Sequence, residues 1–201
     1  MLSAAILAGG QARRFGGRDK GALVVGGRSI RERQIAELAA LTTEILIVGG
    51  DADGDGRARV IRDRIPGCGP LGGLHTALLE ASGDPTIVIA CDMPYVSAPL
   101  LGHLASLARD VDAVVPRTGD GYHPLCAVYA RACLEPIARR LAEGRLKMTG
   151  LFDDVRVRVV EVEELQAFGD VDRLLANVNS PADHEELVAR QRPQGSQGHQ
   201  Q

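Results

Sequence analysis

The first twenty residues place the strongest constraint on what this chain can fold into. Residues 2–7 form an apolar run that ends at Gly9 and Gly10, and a basic loop follows. A short apolar run that stops at a glycine pair is typical of a buried strand opening into a loop. Glycines let backbone amides approach an anion, and cationic side chains donate hydrogen bonds to phosphate oxygens. The basic residues of the loop are Arg13, Arg14, Arg18 and Lys20. The loop is a candidate phosphate site, with a solvated basic turn as the alternative.

The hydrophobic pattern beyond this loop predicts an α/β fold. Ser29 and Glu32 have the spacing of a capping box, so a helix is expected to begin there. Residues 44–48 then form a second apolar run, which completes a strand, helix, strand unit. Residues 86–90 are a continuous apolar run, typical of a central strand covered on both faces. Residues 155–162 alternate valine with charged side chains, which predicts a strand with one exposed face.

Further elements are predicted between and after these runs. Ser97 is expected to cap a helix that begins with an early proline. Short strands are expected at 59–61, 113–116 and 125–129, and helices at 97–107, 132–143, 147–152 and after Ser180. The formal dinucleotide pattern of Gly67, Gly69 and Gly72 is discounted, because prolines interrupt the strand and helix that it needs on either side.

Length and composition predict one domain and exclude some partners. The chain has 201 residues, of which 45% are hydrophobic, enough for one sizeable core. We expect a single domain over residues 1–191 and a disordered tail over residues 192–201. The net charge of −3 argues against a nucleic-acid or anionic-membrane partner.

The N-terminal apolar run and the cysteines indicate in which cellular compartment the protein is found. The run is too short to span a membrane, and its basic residues follow it, the reverse of a secretory signal. The 4 cysteines form no Cys-x-x-Cys pair, so buried, reduced thiols are expected. These features together predict a cytoplasmic protein.

Asp92 is the candidate metal ligand. It follows the apolar run of residues 86–90, so it stands at the carboxyl end of a central strand, where ligands bind in open α/β sheets. Magnesium takes few carboxylates and keeps several waters, so one aspartate together with nucleotide phosphates suffices. The alternative is an aspartate that caps the following turn.

Four ordered motifs carry a resemblance to a known family. The first is Leu7-Ala8-Gly9-Gly10 followed by Arg14-Phe15-Gly16-Gly17 and Asp19-Lys20, which resembles the signature loop of the nucleotidyltransferases. The others are Cys91-Asp92-Met93-Pro94, His123-Pro124 and Asn177-Val178-Asn179-Ser180-Pro181. Together they are most similar to the MobA family of molybdenum cofactor guanylyltransferases, over residues 6–187. The resemblance implies a three-layer, Rossmann-like nucleotidyltransferase fold with a mostly parallel sheet. It also implies a helix over residues 74–81, after a Gly-Pro-Leu-x-Gly turn beside the nucleotide.

The resemblance also implies a reaction and its residues. It implies transfer of GMP from GTP to molybdenum-bound molybdopterin, with Mg²⁺ and release of pyrophosphate. Asp92 would hold the metal, and Lys20 and Arg14 would neutralise the triphosphate. The nucleotide would be held by Leu7, Ala8, Gly9, Gly10, Lys20, Asp63 and Asp92, and the acceptor by His123, Asn177 and Asn179. Gly49-Gly50 stands where the family has a nucleotide-contacting asparagine, which removes one indication of base preference.

Other functions and partners remain open from the sequence. A cytidylyltransferase acting on the same acceptor is the nearest alternative, followed by a sugar-phosphate nucleotidyltransferase. A nucleotide-binding regulator without turnover is a third, although the retained Lys20 and Asp92 argue against it. The resemblance further implies a molybdenum-insertion protein and molybdoenzyme apoproteins as partners.

Overall fold

The computed structural model describes residues 1–8, 20–49 and 56–178, and also residues 180, 182, 183 and 185. The strands within this part of the chain are β1 (Ser3–Leu7), β2 (Val24–Val25), β3 (Arg28–Ser29), β4 (Ile45–Val48), β5 (Arg59–Ile61), β6 (Thr86–Ala90), β7 (Ala113–Thr118), β8 (Gly121–Tyr122), β9 (Cys126–Tyr129) and β10 (Val157–Val160). The α-helices are α1 (Ile30–Ala39), α2 (Gly69–Glu80), α3 (Ala98–Ser106), α4 (Leu134–Ala142), α5 (Val162–Leu165) and α6 (Val171–Leu174). Short 3-10 helices lie at Lys20–Ala22, Arg131–Cys133, Met148–Asp153 and Gln166–Phe168.

The described strands form one large sheet and a small hairpin. The sheet has the order β10-β7-β9-β6-β1-β4-β5, with β8 paired to β7, while β2 and β3 pair with each other. Strands β5, β4, β1 and β6 run parallel, and β9 is antiparallel to both of its neighbours. The chain moves outward from β1 to β5 and then returns to the other side of β1 to form β6. This reversal of strand order opens a crevice at the carboxyl ends of β1 and β6.

Two apolar layers cover the sheet, one on each face. Alternate residues of a strand point to opposite faces. In β1, Ala4 and Ile6 therefore belong to the cluster that includes residues of α1 and α3, whereas Ala5 and Leu7 belong to the cluster with α2 and α4. All five residues of β1 and of β6 are buried. The predicted three-layer fold with a mostly parallel sheet is confirmed.

Several element predictions hold at the residue level. The strands predicted at 59–61 and 86–90 have those bounds. The capping box is present, with the Ser29 hydroxyl accepting from the Glu32 amide at 3.2 Å and the Glu32 carboxylate accepting from the Ser29 amide at 2.8 Å. The alternating stretch forms β10, which lies at one end of the strand order.

The start of α2 and the cap of α3 differ from the prediction. Helix α2 begins at Gly69 and not at residue 74, because Pro70 fits the first turn, where no amide hydrogen bond is needed. Helix α3 begins directly after Ser97, but the Ser97 side chain makes no capping hydrogen bond. The carboxylate of Glu37 on α1 accepts from the Ala98 amide instead, at 2.7 Å. A tertiary contact therefore replaces the predicted local cap.

The cysteines agree with the prediction only in part. All four cysteines are free thiols, as predicted, but only two are buried: Cys126 and Cys133. Burial raises the pKa of each of these two thiols to about 12.

Ser180 and Asp183 exchange capping hydrogen bonds, whereas residues 192–201 and most of the predicted final helix lie outside the described residues. Among the described residues, no helix is long and apolar enough to cross a membrane.

Candidate functional site

The carboxyl ends of β1, β4 and β6 meet at one edge of the sheet. The Ala8 amide donates to the Val48 carbonyl at 2.9 Å, and the Cys91 amide donates to the Leu7 carbonyl at 3.2 Å. Parallel pairing thus continues one residue past the strands. Leu7 and Ala8, both predicted to contact the nucleotide, lie in the centre of this edge.

Asp92 follows β6 in a turn that is held from several directions. The Gln34 side-chain amide donates to the Ala90 carbonyl at 2.7 Å and to the Met93 carbonyl at 3.0 Å. The Val178 amide donates to the Asp92 carbonyl at 2.8 Å. One carboxylate oxygen of Asp92, Oδ1, is buried. The turn therefore places an acidic residue at the point where the strand order of the sheet reverses.

The donor set at Asp92 fits a magnesium–nucleotide complex. Within the described ranges, no group of three or more histidine, cysteine, aspartate or glutamate side chains could hold a metal ion. Structural zinc needs such a group, whereas Mg²⁺ is commonly held by one or two carboxylates together with substrate phosphates. A single carboxylate at the mouth of the crevice matches the second arrangement.

Asp63 lies just beyond β5, next to the same edge, and supports the local backbone. Its Oδ1 atom accepts from the Ile65 amide at 3.0 Å and from the Thr76 hydroxyl at 3.1 Å. The same hydroxyl accepts from the Arg64 amide at 3.1 Å. These bonds fix the turn that leads into α2. Any nucleotide contact by Asp63 stays a prediction.

The end of β4 carries no side chain that could read a base. Gly49 has a φ of +74°, which a glycine adopts without strain, and its amide donates to the Ile61 carbonyl at 2.9 Å. Gly50, the second glycine at the family's asparagine position, lies outside the described residues.

His123 lies beside the end of β6 on the other side of the crevice. Its amide donates to the Pro116 carbonyl at 2.9 Å, and its ring Nε2 lies 2.9 Å from the Thr118 hydroxyl. The Ala90 amide donates to the carbonyl of Leu125, two residues further on, at 2.8 Å. Burial lowers the pKa of His123 from its ordinary 6.5, so the ring is neutral at pH 7. A neutral imidazole offers one donor and one acceptor.

The C-terminal segment reaches the same turn. Asn177 directly precedes Val178, whose amide bonds the Asp92 carbonyl, so the structure brings Asn177 and Asp92 to the same edge. Asn177 is exposed. The predicted site residues outside the described part are Gly9, Gly10, Arg14 and Asn179. Lys20 begins a 3-10 helix, and its side chain also falls outside what is described.

A cavity adjoins the Asp92 turn. Its volume is about 360 Å³, and its lining includes Arg33, Tyr95 and Arg173. The Arg173 guanidinium carbon lies 4.5 Å from the centre of the Tyr95 ring. Burial raises the pKa of the Tyr95 hydroxyl. Glu37 and Asp170 also line it, so the cavity combines cationic, acidic and aromatic groups next to the segment that carries Asn177.

Sequence reasoning missed Gln34 and Thr76, the two side chains that fix the turns carrying Asp92 and Asp63. A signal for Gln34 was present. It lies four residues after Ile30 and four before Leu38, on the buried stripe of α1, where a polar side chain requires a hydrogen-bonding partner. Thr76 is likewise a buried polar residue on α2, among apolar neighbours.

Known proteins are similar to this chain over most of its length. The MobA-like NTP transferase domain matches residues 4–157. A probable molybdenum cofactor guanylyltransferase of Pelotomaculum thermopropionicum is 37% identical over 180 residues, which cover 89% of this chain and 87% of the relative. A molybdenum cofactor guanylyltransferase of Desulfosudis oleivorans is 34% identical over 165 residues, 81% of this chain and 82% of the relative.

Solved structures extend the likeness to the fold. Molybdopterin-guanine dinucleotide biosynthesis protein A of Archaeoglobus fulgidus superposes with a TM-score of 0.76 at 26% identity, covering 94% of this chain and 100% of that one. A 2-C-methyl-D-erythritol 4-phosphate cytidylyltransferase of Thermus thermophilus shares the fold, with a TM-score of 0.68 at 19% identity, covering 94% and 100%. The domain match and the relatives show that the chain belongs to the MobA-like NTP transferase family.

Proposed function

We propose that this protein transfers GMP from GTP to molybdenum-bound molybdopterin, forming the guanine dinucleotide cofactor and pyrophosphate. The observation that carries the proposal is the position of Asp92. Its turn joins the end of β1, on the nucleotide side, to the segment around Val178, on the acceptor side. The guanylyl specificity rests on the names of the relatives that are 34% and 37% identical.

The proposed chemistry is an in-line displacement at phosphorus. An oxygen of the terminal phosphate of molybdopterin attacks the α-phosphorus of GTP, a P–O bond forms, and the bond to the bridging oxygen breaks as pyrophosphate leaves. Such transfers depend mainly on positioning and electrostatic stabilisation. Mg²⁺ would supply charge neutralisation on the phosphate oxygens.

The chain's residues divide between the two substrates. The backbone of Leu7, Ala8, Gly9 and Gly10 is proposed to seat the nucleotide, with Asp63 as a further nucleotide contact. Lys20 and Arg14 are proposed to hold the triphosphate, and Asp92 to hold Mg²⁺.

The acceptor is proposed to bind on the other side of Asp92. Neutral His123 would hydrogen-bond it without adding charge, and Asn177 and Asn179 would offer amide donors and acceptors. The cavity beside Tyr95 is about 360 Å³, within the range of small-molecule sites. A cytoplasmic location, and delivery to molybdoenzyme apoproteins after receipt from a molybdenum-insertion protein, stay predictions.

Nucleotide binding tests this proposal before any acceptor is needed. Calorimetric titration with GTP, CTP, ATP and UTP in the presence of Mg²⁺ is expected to show a preference for GTP of roughly tenfold or more, about 1.4 kcal/mol. A preference for CTP would favour a cytidylyltransferase with the same mechanism. Absence of binding to all four nucleotides would overturn the proposal.

A further inference from the structure

Gln34 is a buried amide whose two donors bracket Asp92. It is 0% exposed and lies on α1, which belongs to the layer opposite α2. Its Nε2 donates to the carbonyl of Ala90 at 2.7 Å and to that of Met93 at 3.0 Å. These carbonyls lie two residues before and one residue after Asp92. Both hydrogen atoms of one amide group thus fix the two ends of the turn.

The physical cost of this arrangement indicates what the amide does. Burying an amide is unfavourable unless it is hydrogen-bonded, and a glutamine amide has two N–H donors and one acceptor. Both donors of Gln34 are used in the Asp92 turn, whereas its Oε1 atom is buried without a partner among the described residues. An apolar side chain at position 34 would fill the space but leave two backbone carbonyls without these donors. Ile30 and Leu38 on the same stripe of α1 show that the surrounding layer is apolar. The amide is therefore suited to hold the turn more than to fill the core.

Helix α1 also holds the backbone that follows Lys20. The Ile30 amide, one turn before Gln34, donates to the Leu23 carbonyl at 2.9 Å. Leu23 directly follows the 3-10 helix Lys20–Ala22. The same rigid element thus supports the segment of the proposed triphosphate-binding lysine and the turn of the proposed metal ligand.

We propose that Gln34 is a positioning residue that fixes Asp92 for binding the divalent metal of the nucleotide complex. This inference rests on the proposed function, in which Asp92 is the metal ligand. Gln34 itself touches neither metal nor substrate. Outer partners that orient a ligand typically contribute tenfold or more to metal affinity.

Metal affinity tests the role separately from turnover. We would measure Mn²⁺ binding to the protein with α,β-methylene-GTP by electron paramagnetic resonance of free Mn²⁺, for wild type, Gln34→Met and Gln34→Asn. Methionine keeps the length but loses both donors, and asparagine keeps the donors but is one methylene shorter. Each variant is expected to weaken Mn²⁺ binding by roughly tenfold. Either variant alone is sufficient if the other does not fold.

Two controls separate the possible failures. Ile35→Val alters the core packing of the same helix but leaves both Gln34 hydrogen bonds in place, and it is expected to leave Mn²⁺ affinity within twofold of wild type. Asp92→Asn tests the ligand itself. If Asp92→Asn weakens Mn²⁺ binding but the Gln34 variants do not, the positioning role is wrong and the metal assignment stands. If Asp92→Asn has no effect, the metal assignment fails and this inference fails with it.

Discussion

At the scale of single residues, Asp92 combines a partly buried carboxylate with a fixed backbone. The Val178 amide donates to the Asp92 carbonyl, and the Gln34 side chain donates to the carbonyls of Ala90 and Met93. These bonds fix the backbone from which the carboxylate extends, and a fixed backbone reduces the reorganisation needed to meet a cation.

Replacing Asp92 by asparagine is expected to separate chemistry from nucleotide binding. The asparagine side chain has nearly the same shape but no charge, so transfer should slow by about 100-fold or more. Calorimetric binding of GTP should weaken less in the presence of EDTA than in the presence of Mg²⁺, because the contact that Asp92 makes through the metal is already absent in EDTA. A variant that keeps the wild-type transfer rate at saturating Mg²⁺ would show that Asp92 is not the metal ligand.

Residue positions were predictable from the sequence where a local pattern sets them. Asp92 could be placed because a continuous apolar run ends immediately before it. The contacts of Gln34 could not be placed, because its partners Ala90 and Met93 lie 56 and 59 residues away. No local pattern encodes which distant carbonyl a buried amide will meet.

At the scale of elements, the start of α2 depends on two adjacent glycines with different surroundings. A Cβ at Gly72 would lie 2.9 Å from the Ile65 carbonyl oxygen and 3.0 Å from the Cys68 Cβ. A Cβ at Gly73 would meet only side-chain atoms of Leu7, the nearest at 3.5 Å, an ordinary contact. Gly72 therefore permits the close approach of α2 to the preceding turn.

Alanine at these two positions should have opposite effects on stability. Gly72→Ala is expected to destabilise the protein by about 1–3 kcal/mol, because the backbone of the turn must move. Gly73→Ala is expected to be neutral or to stabilise by up to about 1 kcal/mol, since alanine favours a helix interior. Urea unfolding of both variants measures the difference. Equal stability of the two variants would show that the turn does not restrict position 72.

Element types were predictable from the apolar runs, whereas element bounds were predictable only in part. The strands at 59–61 and 86–90 have their predicted bounds, but α2 begins five residues before its predicted start. The apolar runs of β1, β4 and β6 identified the parallel centre of the sheet. The antiparallel direction of β9 depends on its pairing with β6 and β7 and has no local sequence signal. The short helices α5 and α6 are four residues each, too short to show a helical period.

At the scale of the whole molecule, two histidines link stability to pH. Burial lowers the pKa of His123 and of His75 on α2 from the ordinary value of 6.5, with Arg64 lowering that of His75 further. The unfolded chain therefore binds more protons than the folded protein between the lowered pKa values and about pH 6.5. Stability rises with pH where the unfolded state holds more protons.

The free energy of unfolding is expected to fall as the pH drops below about 6.5. His123→Gln should flatten this decline, because the glutamine does not titrate, and the variant with His75→Gln as well should flatten it further. Urea unfolding at intervals between pH 5 and pH 7.5 gives the slopes. A wild-type slope that persists unchanged in the double variant would contradict this assignment.

The central claim is that the protein transfers GMP at the edge of the sheet where Asp92 lies. Product formation tests this claim most directly. Wild-type protein would be incubated with GTP, Mg²⁺ and molybdenum-bound molybdopterin, with pyrophosphate and the dinucleotide cofactor quantified together. The account predicts one pyrophosphate for each guanine dinucleotide, little product with CTP, and loss of both products in Asp92→Asn. Formation of the cytosine dinucleotide in preference, or of no dinucleotide from either nucleotide, would contradict it.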